Sequence, residues 1–245
     1  MSLRVGVIGA GVMGSGIAQS LATGGIDTVC TDVSSDALAR AREQVQSGRF
    51  GFERAVQREK ISREDAEAAF ARLSFTDEFD AAANTDVVIE CVPERLDLKM
   101  RIFRDLDAAA PESSVLASNS SGFPITALAA STRRPARVVG WHWASPPVIM
   151  RFAEIVVTRD TDPEAVSRVE EAARACGKNP IIVQDAPMAW GYVANRVYFA
   201  MIREAQRVVD EGVASPEQVN ELMVDCYNWP VGPFAMVKGA GSGWQ

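Results

Sequence analysis

At 245 residues, 47% hydrophobic and with a formal net charge of −7, the chain is long enough to bury a core in one large or two modest domains. The acidic balance argues against nonspecific nucleic-acid binding and leaves any anionic ligand dependent on local basic residues. No apolar stretch reaches the roughly eighteen residues of a membrane helix, and Met1-Ser2-Leu3 runs straight into a strand with neither a secretory core nor an Arg-rich presequence, so a cytoplasmic protein with no membrane or nucleic-acid partner is expected.

The first β-branched run, Arg4 to Ile8, opens into Gly9-Ala10-Gly11-Val12-Met13-Gly14 and a helical stretch from Gly14 to Thr23; Thr28 to Thr31 then reads as a second strand, closed by Asp32. A long helical stretch follows from Ser35 to Lys60, with Ala37, Ala41 and Val45 at helical spacing. Asp86 to Glu90, Val115 to Ser118, Arg137 to Trp141, Phe152 to Val157 and Ile181 to Val183 read as further strands, and Asp162 reads as the N-cap of a helix from Pro163 to Cys176. This alternation predicts an α/β fold, a Rossmann-type doubly wound and mostly parallel sheet with helices on both faces.

After Asp185-Ala186-Pro187 the strand signals stop. Tyr192 to Glu211 reads as one helix ended by Gly212, and Ser215-Pro216-Glu217 as the N-cap and first turn of the next. The expected division is therefore residues 1–184 as a dinucleotide-binding domain and 185–245 as a smaller all-α domain, apparently truncated and thin for an independent unit. Leu222, Met223, Phe234 and Met236 are expected to lack cover within the chain, which predicts a homodimer through these C-terminal helices.

The turn after the first strand fits G-x-G-x-x-G in its full context of strand before, helix after and acidic residue about twenty positions on. Gly9 permits the tight turn, Gly11 lets the backbone approach a pyrophosphate and Gly14 packs helix on strand; with Met13 these are the expected cofactor-binding positions. Asp32 stands where a carboxylate accepts hydrogen bonds from the adenosine ribose. It would repel a 2′-phosphate, and no Arg follows in Asp32-Val33-Ser34-Ser35, so NAD is expected rather than NADP. The plainer reading of Asp32 is a loop or capping residue.

His142 is the only histidine in these 245 residues. It sits in Gly140-Trp141-His142-Trp143-Ala144-Ser145-Pro146, just after a strand-like run, with Glu154 in the next. One imidazole held by one carboxylate is the minimal equipment for taking a proton from an alcohol near neutral pH. Together with the cofactor turn, the pair predicts alcohol oxidation by hydride transfer to a nicotinamide; alone, such a His is more often a packed or surface residue. Cys30, Cys91, Cys176 and Cys226 are scattered, form no C-x-x-C pair and read as reduced, buried and inert. No metal site is expected.

These features, with Glu90-Cys91-Val92-Pro93-Glu94, Ser118-Asn119-Ser120-Ser121, Gly191-Tyr192-Val193-Ala194-Asn195-Arg196 and Trp229-Pro230-Val231-Gly232-Pro233 in order, resemble the L-3-hydroxyacyl-CoA dehydrogenase family over nearly the whole chain. The resemblance implies His142 as general base for the 3-hydroxyl proton and Glu154 as the group that orients it. It implies Ser121 and Asn195 on the reacting oxygen or the thioester carbonyl, Glu94 and Lys99 along the nicotinamide half of the site, and an acyl-CoA-like substrate. Two departures fall on the substrate side: Ser145 stands where the family usually has asparagine, and Met188-Ala189-Trp190 is a three-residue insertion. The alternatives are a dehydrogenase of a free hydroxy acid or sugar acid, and a catalytically silent NAD-binding protein.

Overall fold

The computed structural model describes residues 3–242, with the backbone alone for 238–242. The outer ends of the two expected domains, residues 1–2 and 243–245, lie outside the described residues. The elements up to the last strand are β1 (Arg4–Ile8), α1 (Val12–Thr23), β2 (Asp27–Thr31), α2 (Ser35–Ser47), α3 (Phe52–Gln57), α4 (Arg63–Ala71), β3 (Leu73–Thr76), α5 (Phe79–Ala83), β4 (Val87–Glu90), α6 (Leu96–Ala109), β5 (Val115–Ser118), α7 (Ile125–Ala129), β6 (Val138–Trp143), β7 (Phe152–Val157), α8 (Pro163–Ala175) and β8 (Asn179–Gln184). The eight strands form one sheet in the order β3-β2-β1-β4-β5-β6-β7-β8. Strands β1 to β6 are mutually parallel, β7 is antiparallel to β6, and β8 is parallel to β7.

The fold is the expected doubly wound sheet, and the two-residue period of its strands builds a core on each face. Val5, Val7, Val87, Ile89, Val139 and Trp141 point into one core, closed by Ile17 and Leu21 of α1, Val45 of α2 and Val169 of α8. Their neighbours Ile8, Val88, Leu116 and Val138 point into the other, closed by Phe103 and Leu106 of α6 and by Leu128 of α7. Asp162 caps α8 as expected, accepting from the Glu164 N–H at 2.9 Å.

Three expectations change. The stretch from Ser35 to Lys60 is two helices rather than one, because α2 stops at Gly48, where a Cβ would meet the Gln44 carbonyl oxygen at 2.5 Å. Strand β3 was not expected; it is an edge strand of four residues in which Leu73 alone is buried, so its hydrophobic signal is weak. Cys226 is exposed on the C-terminal helices, whereas Cys30 is buried and desolvation there pushes its thiol up to about 12.

The backbone divides into two compact units, one running to Tyr192 and one starting at Val193. The second consists of α9 (Val193–Asp210), α10 (Pro216–Tyr227) and α11 (Pro233–Ser242). A capping box between Ser215 and Gln218 starts α10, and the Asn220 side-chain oxygen (Oδ1) accepts from the Phe234 N–H at 2.9 Å to start α11. Among the described residues no helix is long and apolar enough to cross a membrane.

Candidate active site

The reversal of direction between β6 and β7 places His142 directly opposite Glu154 in the register. Side chains paired in this way project from the same face at touching distance. His142 Nδ1 lies 2.8 Å from Glu154 Oε2, and both residues are buried. A carboxylate can only accept, so Nδ1 carries the proton and donates, leaving Nε2 as the nitrogen that can take one up. The rings of Phe152 and Tyr192 stand edge-on to the imidazole at 5.2 and 5.7 Å. The Tyr192 hydroxyl in turn donates to the Phe123 carbonyl at 2.7 Å. His142 thus lies inside β6 and not after its end, because pairing with β7 carries the strand on to Trp143.

The fingerprint turn has the shape its residues predict. Gly9 adopts φ +105°, and a Cβ on Gly14 would come within 1.8 Å of the Gly9 carbonyl oxygen, so turn and helix touch. Gly11 differs: a Cβ there would meet nothing within 4 Å, and no side chain caps α1 at that end. The first N–H groups of α1 therefore open onto free space wide enough for an anion to approach the backbone, which fits a dinucleotide pyrophosphate. Asp32 Oδ2 accepts from the Ala10 N–H at 2.9 Å and Oδ1 from the Ser34 N–H at 3.0 Å. Its carboxylate thereby ties β2 to the turn while each oxygen keeps a lone pair for a ribose hydroxyl. Met13 packs against the core beneath the turn.

Glu90 at the end of β4 and Lys99 in α6 are 0% and 1% exposed, and their charges face each other at 2.8 Å. The Glu90 carboxylate also accepts from the Val92 N–H and the Ser118 hydroxyl, both at 2.7 Å. Glu94 lies 3.1 Å from the same ammonium and accepts from the Ser120 hydroxyl at 2.6 Å and the Ser121 N–H at 3.0 Å. Burial works against charge on Lys99, but Glu90 and Glu94 outweigh it and hold the amine above the usual lysine range. The network fixes the backbone of the Ser121 turn from below. That turn is joined to the histidine strand through Asn119, whose side-chain oxygen accepts from the Trp143 N–H at 2.9 Å.

The structure thus brings together His142, Glu154, Ser121, Glu94 and Lys99 at the carboxyl ends of β4 to β6, the edge where open α/β sheets bind ligands. Asn195 lies in the first turn of α9, in the other unit. Sequence reasoning missed the pairing of Glu90 with Lys99, for which a carboxylate ending a wholly buried strand was the available signal. It also missed Tyr192 as the packing partner of His142. Lys178, equally unforeseen, is buried with its ammonium 2.8 Å from the Met150 carbonyl and over the Trp143 ring, anchoring the loop between β6 and β7.

The model of the 3-hydroxyacyl-CoA dehydrogenase NAD-binding domain matches residues 4–186, and that of the C-terminal domain of the same family matches 191–245. The chain is 35% identical over 98% of its length to 77% of the 5-formyl-3-hydroxy-2-methylpyridine 4-carboxylate 5-dehydrogenase of Mesorhizobium japonicum. It is 36% identical over 97% of its length to 81% of a Bacillus subtilis protein named "Probable 3-hydroxybutyryl-CoA dehydrogenase". Among solved structures, (S)-3-hydroxybutyryl-CoA dehydrogenase from Ralstonia eutropha superposes with a TM-score of 0.91 at 37% identity, covering 96% of this chain and 81% of that one.

Proposed function

The chain belongs to the 3-hydroxyacyl-CoA dehydrogenase family of NAD-dependent oxidoreductases, and from that premise we propose that it oxidises an L-3-hydroxyacyl thioester of CoA type to the 3-ketoacyl form. The observation that carries this is the buried 2.8 Å pair of His142 and Glu154. Bound NAD supplies the hydride acceptor. Loss of hydride from C3 requires the hydroxyl proton to leave as well, and His142 Nε2 takes it. The Glu154 carboxylate keeps the imidazole in the tautomer that can do so and balances the positive charge that forms. Ser121 hydrogen-bonds the reacting oxygen or the thioester carbonyl; for Asn195 the same role rests on the family resemblance alone.

The test is NADH formation from NAD and L-3-hydroxybutyryl-CoA, with a panel of free hydroxy acids alongside. Turnover of the free acids and none of the thioester would favour a second reading, to which the pyridine-carboxylate relative at 35% identity lends weight.

Asp32→Ala is expected to weaken NAD binding and relax discrimination against NADP, since it removes both the ribose acceptor and the like charge facing a 2′-phosphate. Equal kcat/KM for the two cofactors in the unmodified protein would contradict that role. A homodimer through the C-terminal helices belongs to the same proposal: of the four side chains expected to lack cover, Leu222 is exposed and Met223, Phe234 and Met236 are half-buried, while Val231 and Val237 are also exposed. Light scattering at micromolar concentration is expected to give the dimer mass, and a stable monomer would remove it.

A further inference from the structure

The segment from Asp185 to Tyr192 is tied along residues 122–126 at four points. Asp185 Oδ2 accepts from the Thr126 N–H at 2.8 Å and from its hydroxyl at 2.6 Å. The Gly191 N–H donates to the Gly122 carbonyl at 3.1 Å. The Tyr192 hydroxyl donates to the Phe123 carbonyl at 2.7 Å. The fourth point is the indole of Trp190, which lies so close on Gly122 that a Cβ there would stand 2.6 Å from Cε2. Between these ties the Ala189 N–H closes a tight turn on the Ala186 carbonyl at 3.0 Å.

The result is a large aromatic side chain laid on Gly122, the residue after Ser121, although it is 51% exposed. The ties seat Tyr192, which is buried in the core, whereas the half-bare indole of Trp190 contributes little to that core. The turn beneath it is rigid too, because Glu94 holds Ser120 and Ser121 from the other side. Tyr192, two residues on, packs against the His142 ring. Trp190 therefore lies against the residue next to the side chain assigned to the substrate, on a backbone tied at Asp185, Gly191 and Tyr192.

We propose that Trp190 is a specificity-determining residue: its indole bounds the space beside Ser121, so that the enzyme prefers short acyl groups to long ones. The inference rests on the L-3-hydroxyacyl thioester reading above. A bulky wall rejects extra methylenes sterically, since overpacking an apolar site is itself penalised.

The experiment measures kcat/KM for 3-hydroxybutyryl-, 3-hydroxyhexanoyl- and 3-hydroxydecanoyl-CoA at saturating NAD in the unmodified protein, Trp190→Ala and Trp190→Leu. In Trp190→Ala the decanoyl-to-butyryl ratio of kcat/KM is expected to rise by about tenfold or more, with Trp190→Leu between. Thermal unfolding checks each variant; if the alanine form does not fold, the leucine form decides by the same ratio. An unmodified protein that turns over none of the thioesters sinks the underlying reading and the acyl pocket with it. Turnover with a chain-length profile that the substitutions leave unchanged, or shift toward shorter chains, overturns the role of Trp190 alone.

Discussion

Replacing His142 by Gln is expected to lower kcat by about 10² to 10⁴, the usual worth of a positioned general base, with NAD affinity nearly unchanged. Glutamine is close to histidine in reach and can still meet Glu154, but its amide takes up no proton at working pH. No second imidazole among these residues can take over, because His142 is the only one. The cofactor turn at Gly9 to Gly14 lies on β1 and α1 and the pair on β6 and β7, so NAD affinity serves as the control. Glu154→Gln is expected to cost less, about 10- to 100-fold, which corresponds to losing a hydrogen bond to a charged group worth about 1.5–3 kcal/mol. Stopped-flow NADH formation under single-turnover conditions separates this from product release. A His142→Gln protein that keeps nearly full turnover would take the residue out of the chemistry.

Lys99→Met is expected to destabilise the fold by about 3–5 kcal/mol near neutral pH, because it strands Glu90 as a buried charge without a partner. Against a total stability of about 5–15 kcal/mol for a domain, that loss endangers folding at physiological temperature. The deficit should depend on pH in a defined direction. Burial already raises the Glu90 carboxyl above its ordinary value with Lys99 present, and removing the ammonium takes away the main opposing influence. A carboxyl whose value is higher in the folded than in the unfolded chain binds the extra proton on folding. Its contribution is therefore favourable below the unfolded value of about 4.3 and is lost as pH rises through the folded one. Urea titrations of Lys99→Met should show the smaller deficit at about pH 5 and the larger at about pH 7.5. The double variant Glu90→Gln, Lys99→Met should recover much of the loss, as neutral replacements of buried ion pairs commonly do. A single variant within about 1 kcal/mol of the parent at both pH values would show that the pair carries little stability.

The elements legible in the sequence were those in which several local signals agree. Around Gly9 the strand, turn, helix and distant Asp32 each constrain the same geometry, and β1, β5 and β7 occupy the residues expected. Where the signal was short or single it failed: β3 offers one buried residue, and the helical spacing of Ala37, Ala41 and Val45 says nothing about where Gly48 ends the helix. His142 and Glu154 were legible as residue types, but twelve intervening positions do not encode a register. Buried lysines are the hardest case. Lys99 and Lys178 would each be assigned to the surface by default, since an ammonium is buried only where the fold converges acceptors on it. The convergence of Glu90 and Glu94, or of carbonyls from a loop some thirty residues away, is tertiary and leaves no local trace.

The direct opposition of His142 and Glu154 across β6 and β7 also makes the protein a single-signal reporter on its own sheet. A slip of one residue between these strands would turn one partner to the opposite face and dissolve the pair, while leaving helix content almost untouched. Circular dichroism would scarcely notice such a species. The imidazole proton spectrum would, because a chain with one histidine gives one Cε1–H resonance. During refolding, the moment that resonance takes its native position marks the moment β6 and β7 lock in register, independently of when the rest of the chain collapses.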